Sequence, residues 1–166
     1  MRTVLAFLSL VILSGCGLQP LYSGGPSGTV AQGLGAIDIA PIPGQAGWLM
    51  RNALRDRIGV ATSGETRYRL DVRLDDRLEG LAVLGDDTIA RERRILRARY
   101  QLVDISDGSI ILDATAGSDA GIDVVSSEYA TIAAEQTALE NLSRQVADRI
   151  VTQVSLTLRA TDRDGA

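Results

Sequence analysis

Between Tyr68 and Asp75 the chain alternates without a break: Tyr68, Leu70, Val72 and Leu74 against Arg69, Asp71, Arg73 and Asp75. Residues two apart on a strand point to the same side, so this stretch has one dry face and one charged face. Such a strand needs partners beside it and a second layer over its dry face. The following sequence supplies the partners. Leu78 to Leu84 either extends this strand or pairs loosely beside it, with Gly85-Asp86-Asp87 as the turn. Residues 88–104 form the next strand, where Leu96, Ala98, Tyr100 and Leu102 alternate with Arg91, Arg93, Ile95, Arg97, Arg99 and Gln101. Asp107-Gly108 is a hairpin signal, and Ile110, Leu112, Ala114 and Ala116 give a further strand its apolar face. Upstream, residues 34–42 read as a first strand stopped by Pro41 and Pro43, which cannot donate to a ladder.

Two segments with helical period supply the cover. From about Trp48 to Ile58, Leu49, Ala53, Leu54 and Ile58 share a face, and Gly59 is placed to end the helix. The second begins at Ser126 or Ser127, a suitable N-cap, with Glu128 at the positive end of the helix. Ile132, Leu139, Leu142, Val146, Ile150 and Val154 or Leu158 then recur every three to four residues or multiples of that spacing. The expected fold class is α/β in the sense of an α+β two-layer sandwich. It has a roughly four-stranded, mainly antiparallel sheet with one face covered by a short and a long helix. A long helix of some thirty residues spans about 45 Å, more than the width of a small sheet, so part of it is free to project or touch a partner.

The N-terminus is of a different kind. Arg2, an apolar run from Val4 to Leu13, and Ser14-Gly15 have the layout of a secretory signal. The run is about half the roughly 20 residues of a spanning helix. Cys16, the only cysteine, follows directly, and Leu13-Ser14-Gly15-Cys16 reads as a bacterial lipobox. The thiol is expected to take a diacylglyceryl group and the freed amine a further acyl chain, and two or more chains anchor a protein stably. The expected organisation is a signal peptide over 1–15 and a lipidated, flexible tether over 16–32. One domain over 33–158 and a polar tail over 159–166 follow.

Composition narrows the chemistry. There is no histidine, and the sole cysteine is committed to the anchor, which removes triad and thiol catalysis and the commonest zinc ligands. Loss of residues 1–15 takes Arg2 from the 17 basic residues, leaving 16 against 21 acidic ones, a balance that gives nucleic-acid binding no support. Asp75-Asp76 and Asp86-Asp87 do not converge as catalytic carboxylates must, because neighbours on a strand face opposite ways and the second pair sits in a turn. Gly24-Gly25-Pro26-Ser27-Gly28 lacks the spacing and lysine of a phosphate loop. The chain therefore reads as a non-enzyme without cofactor or metal.

Cys16-Gly17-Leu18-Gln19-Pro20-Leu21-Tyr22 resembles the start of the LptE family of lipopolysaccharide-assembly lipoproteins, departing at Leu18, where the family usually has an aromatic. Ser127-Glu128-Tyr129 at the entry to the last helix is similar to a Ser-x-Tyr common in that family. The resemblance covers essentially the whole mature chain. It implies an outer-membrane protein that plugs the LptD β-barrel, assists its assembly and helps deliver lipopolysaccharide to the outer leaflet. An auxiliary lipoprotein of an envelope phospholipid transporter is the alternative.

Arg91, Arg93, Arg97 and Arg99 share one side of their strand, joined by Arg69 and Arg73 if the strands pair. Every basic residue is arginine, a planar fork suited to phosphate. The four are either a solvated face neutralised by nearby acids or a contact for lipopolysaccharide or for acidic groups lining a barrel.

Overall fold

The computed structural model describes residues 28–59, 66–83 and 89–164. Its elements in order are α1 (Thr29–Gly35), β1 (Ile37–Ile39), α2 (Gly44–Ile58), β2 (Tyr68–Val83), β3 (Ile89–Asp104), β4 (Ile110–Asp123) and α3 (Glu128–Asp164). The strands form one sheet in the order β1-β2-β3-β4, with β1 parallel to β2 and the other pairs antiparallel. Helices pack on this open sheet, which is the α+β architecture expected. The signal segment, Cys16, the tether up to residue 27 and the Gly85-Asp86-Asp87 turn lie outside the described residues.

Alternation in the sequence becomes the two faces of the sheet. β2 and β3 pair from Tyr68 opposite Asp104 to Val83 opposite Ile89, with an irregularity around Leu81. Leu78 to Val83 therefore extends β2 rather than pairing loosely beside it. Asp107-Gly108 does close the β3–β4 hairpin. Gly108 adopts φ +75°, a region glycine enters without steric cost, and its N–H donates to the Asp104 carbonyl at 2.9 Å. The Asp104 carboxylate accepts from the Ser106 hydroxyl at 2.6 Å and the Ser106 N–H at 2.9 Å, bonds that hold its carboxyl below the usual range.

Leu70, Val72, Leu96, Ala98, Tyr100 and Leu102 form the buried side of β2 and β3. Onto them α3 packs Leu139, Leu142, Val146, Ile150, Val154 and Leu158, and α2 packs Met50, Ala53, Leu54 and Ile58. Each such Leu, Ile, Val or Met side chain contributes about 1.5–3 kcal/mol on burial. Leu112, Ala114 and Ala116 of β4 also point to this core but are only partly buried, because β4 is an edge strand, and Ile110, expected with them, is exposed beyond the register shift at Leu102 and Val103. Leu49 is half-buried, and Met50 takes the central place on α2. Gly59 ends α2 as expected, at φ +83° with its N–H on the Arg55 carbonyl at 3.0 Å. The two helices run parallel. Gln45 bonds Gln136 at 2.8 Å near the start of α2, and Arg57 pairs with Asp148 near its end.

Four expectations are corrected. The first strand is only Ile37–Ile39, not 34–42, because Leu34 belongs to α1. Residues 29–32, expected as tether, are the first part of that helix. Val30 and Leu34, four apart and both buried, dock it on the end of α3, where a Cβ on Gly33 would stand 3.2 Å from Leu158 Cδ1. The tail from Arg159 is helical as far as Asp164, with the Thr161 hydroxyl donating to the Thr157 carbonyl. Ile132, expected in the core, is 55% exposed. It lies in line with Leu139 and Val146, but α2 begins level with Gln136 and leaves it uncovered.

Candidate functional site

The uncovered face of the sheet carries the odd-numbered side chains of β2, β3 and β4. The structure brings Arg91, Arg93, Arg97 and Arg99 together there, as the sequence implied, and adds acidic partners from β4. Arg91 pairs with Asp123 at 3.4 Å and Arg93 with Asp119 at 3.0 Å. Arg99 holds Asp113 through two bonds of 3.2 and 3.0 Å, and Gln101 donates to the same carboxylate at 2.8 Å. The Arg99 guanidinium, with Gln101, keeps the Asp113 carboxyl below the ordinary range. Three of the four arginines are thus neutralised.

Arg97 is different. Among the described residues it has no ion pair, and neither has Arg73, one strand over. Arg97 sits opposite Gly117, where a Cβ would lie 3.2 Å from Arg97 Cγ, so the missing side chain leaves room for its stem to cross β4. From α3, Arg149 reaches the edge of the sheet and donates to the Gly117 carbonyl. The result is a shallow trough of about 730 Å³ lined by Arg73, Arg93, Arg97, Arg99 and Arg149 with Asp75 and Asp119. Two cations without partners, on an open surface, can accept a doubly charged anion through paired N–H groups. Arg149 and Gly117 were not picked out from the sequence. A glycine interrupting a strand was the available signal, since it marks a close approach of another group.

Even-numbered charges lie on the helix side. Arg94 grips Asp76 with bonds of 2.9 and 2.6 Å and donates to the Glu135 carbonyl at 3.1 Å, closing the core where α2 begins. Asp75, its neighbour, pairs on the other side with Arg77 at 2.9 Å. The adjacent carboxylates therefore point apart, as strand geometry requires.

The sequence matches the lipopolysaccharide-assembly LptE family over residues 34–154. The chain belongs to the LptE family. The match begins inside α1 and ends within α3, so it takes in the whole sheet and the trough. No curated protein matches the chain significantly. Among solved structures, a candidate lipoprotein of Caulobacter crescentus superposes with a TM-score of 0.67 at 22% identity, covering 81% of this chain and 98% of that one. Rare lipoprotein B of Shewanella oneidensis gives 0.55 at 13% identity, with 76% and 98% covered. A minor lipoprotein of Acinetobacter baumannii gives 0.50 at 16% identity, with 70% and 92% covered. At these identities the likeness to this LptE-family chain is one of fold.

Proposed function

We propose that the protein is a non-catalytic lipoprotein of the outer membrane, tethered through Cys16, that partners an LptD-like β-barrel and assists insertion of lipopolysaccharide into the outer leaflet. The observation that carries this reading is the family match across the folded body. Two features support it. The lipobox at Cys16 fits a family whose structural neighbours are lipoproteins. The arginine trough offers a cationic surface suited to phosphate groups or to a ring of acids. Within that face Arg97 and Arg73 are the contacts, while Arg91, Arg93 and Arg99 are held by their own aspartates and shape the surround.

The tether bounds the distance of the domain from the membrane. Twelve residues from Cys16 to Gly28 reach at most about 40 Å, and α1 is docked at the C-terminal end of α3. That end of the domain stays within this reach of the membrane, and the far end of the β2–β3 hairpin lies roughly 50 Å from it along strands of 16 residues.

The test is recovery of the protein from detergent-solubilised membranes. A large β-barrel protein of the outer membrane should co-purify in stable association. Recovery of an inner-membrane transporter instead would assign the chain to phospholipid traffic and overturn the proposal. The trough is tested separately, with the full chain in detergent and immobilised lipopolysaccharide. Arg73→Glu/Arg97→Glu should weaken binding, as should added salt, while Arg91→Glu should have a smaller effect. Undiminished binding by the double variant would remove the trough from the account.

A further inference from the structure

β2 is sixteen residues long, but β1 covers only Tyr68–Leu70 of its outer edge. The Ala40 N–H makes a last bond to the Leu70 carbonyl at 3.1 Å, and Pro41 and Pro43 then prevent β1 from continuing. Among the described residues no strand pairs with that edge from Asp71 to Val83. A long free edge with exposed apolar residues is a template for another strand, and here Leu78 and Leu81 are 44% and 53% exposed.

The side chains along this edge say which strand fits. On the uncovered face the order is Arg73, Asp75, Arg77, Glu79, all exposed. Laid antiparallel against itself about Asp76, this run sets Arg73 opposite Glu79 and Asp75 opposite Arg77, each pair occurring twice. On the helix side the same register sets Leu74 opposite Leu78, also twice. A slip of two residues one way puts Asp75 against Asp75 and Arg73 against Arg77. The same slip the other way puts Arg77 against Arg77 and Asp75 against Glu79. Like charges directly opposite are unfavourable, so the charges select one register from its nearest neighbours. Asp76 meets its own copy on the axis, but each of these carboxylates is already gripped by Arg94. Within its own sheet Arg73 faces Arg99, and Glu79 faces Arg93, which pairs with Asp119 instead. Across the seam Arg73 gains a facing carboxylate, and Glu79 gains a guanidinium not already bonded to another acid.

We propose that the β2 edge is a self-association surface, where two copies of this chain pair antiparallel through residues 73–79 and join their sheets into one. Seven residues give a seam of about 24 Å. They supply roughly six to eight main-chain hydrogen bonds. The seam shares Arg73 and Asp75 with the lining of the arginine trough, while Glu79 lies outside it.

The experiment uses the full chain in detergent solution, with molecular mass read by sedimentation equilibrium over a concentration series. The wild type should reach a dimer. Arg73→Glu places two carboxylates opposite each other at both ends of the seam, and Glu79→Arg places two guanidiniums there. Each should weaken association roughly tenfold or more. Mixing the two single variants restores opposite charges at both positions and should re-form a mixed dimer, and so should the Arg73→Glu/Glu79→Arg double variant with itself. Both positions are exposed, so melting temperatures should fall only by the concentration-dependent contribution of the dimer. A wild type that stays monomeric at every concentration would overturn the proposal, as would single variants that dimerise like it or a mixture that stays apart.

Discussion

Gly47→Ala sets two effects of opposite sign against each other, and the fold decides between them. Gly47 lies in the first turns of α2 and is buried. Replacing an interior helical glycine by alanine normally gains about 0.5–1 kcal/mol, by reducing the freedom of the unfolded chain. Here a Cβ would fall closer than 3.0 Å to the carbonyl oxygen and carbon of Ile42, and to its side chain. These are largely backbone atoms held between Pro41 and Pro43, so they cannot swing aside as a flexible side chain would. Overpacking of this kind costs about 1–3 kcal/mol, and the net change is a loss of roughly 1–2 kcal/mol. For a chain of this size each kcal/mol lowers the melting temperature by about 2–4 °C. The assay is thermal unfolding followed by circular dichroism, with Gly35→Ala as control. Gly35 is also helical but has nothing within 4 Å of its added Cβ. Gly47→Ala should melt about 2–8 °C lower and Gly35→Ala no lower than wild type. A Gly47→Ala variant as stable as the control would refute the close approach of α2 to the Pro41–Pro43 segment.

Leu142→Ala should cost about 2–5 kcal/mol in chemical denaturation and Ile132→Ala under about 1 kcal/mol, although both fall on the apolar period of α3. Equal losses would mean that α2, or another element, covers Ile132. Arg94→Met leaves the half-buried Asp76 without its partner and should cost about 1–3 kcal/mol, with Arg94→Met/Asp76→Leu recovering part of it. A fully additive double variant would show that the pair is not coupled. Asp104, Asp107, Asp113 and Asp148 are held below the ordinary carboxylate range, chiefly by Ser106, Ser109, Arg99 and Arg57 respectively. A depressed folded pKa stabilises above the unfolded value near 3.9 and ceases to as pH falls through the folded one. The melting temperature should therefore hold down to about pH 5 and fall below about pH 4, and a flat profile to pH 3 would contradict these bonds. Cys16→Ser should block lipid attachment and leave an uncleaved precursor on immunoblots, whereas normal processing would rule out the lipobox.

What the sequence made legible follows from period. Alternation over Tyr68 to Leu74 and over Leu96 to Leu102 placed the right side chains on the right face, because a strand's period of two admits only one other register. Asp107-Gly108 and Gly59 were readable because each occupies a position that glycine serves without strain. Residues 34–42 were misread because Leu34 is apolar in either setting. What carries Leu34 into α1 is its packing, with Val30, at the end of α3 beside Leu158. Ile132 keeps the period of α3 and is nevertheless exposed, since period reports a face and not the length of the helix that covers it. The arginine face was visible as a row. Which of its members are spent on aspartates depends on the pairing of β3 with β4, and Arg149 enters the trough from fifty or more residues further along the chain.

Under the proposed function this LptE-family protein serves delivery of lipopolysaccharide to the outer leaflet. The direct measurement is surface lipopolysaccharide, labelled on intact cells as the protein is depleted. Surface lipopolysaccharide should fall as the protein disappears. Wild type should restore it, Cys16→Ser should not, and Arg73→Glu/Arg97→Glu should restore it only in part. Surface lipopolysaccharide that stays at the normal level throughout depletion would contradict the account.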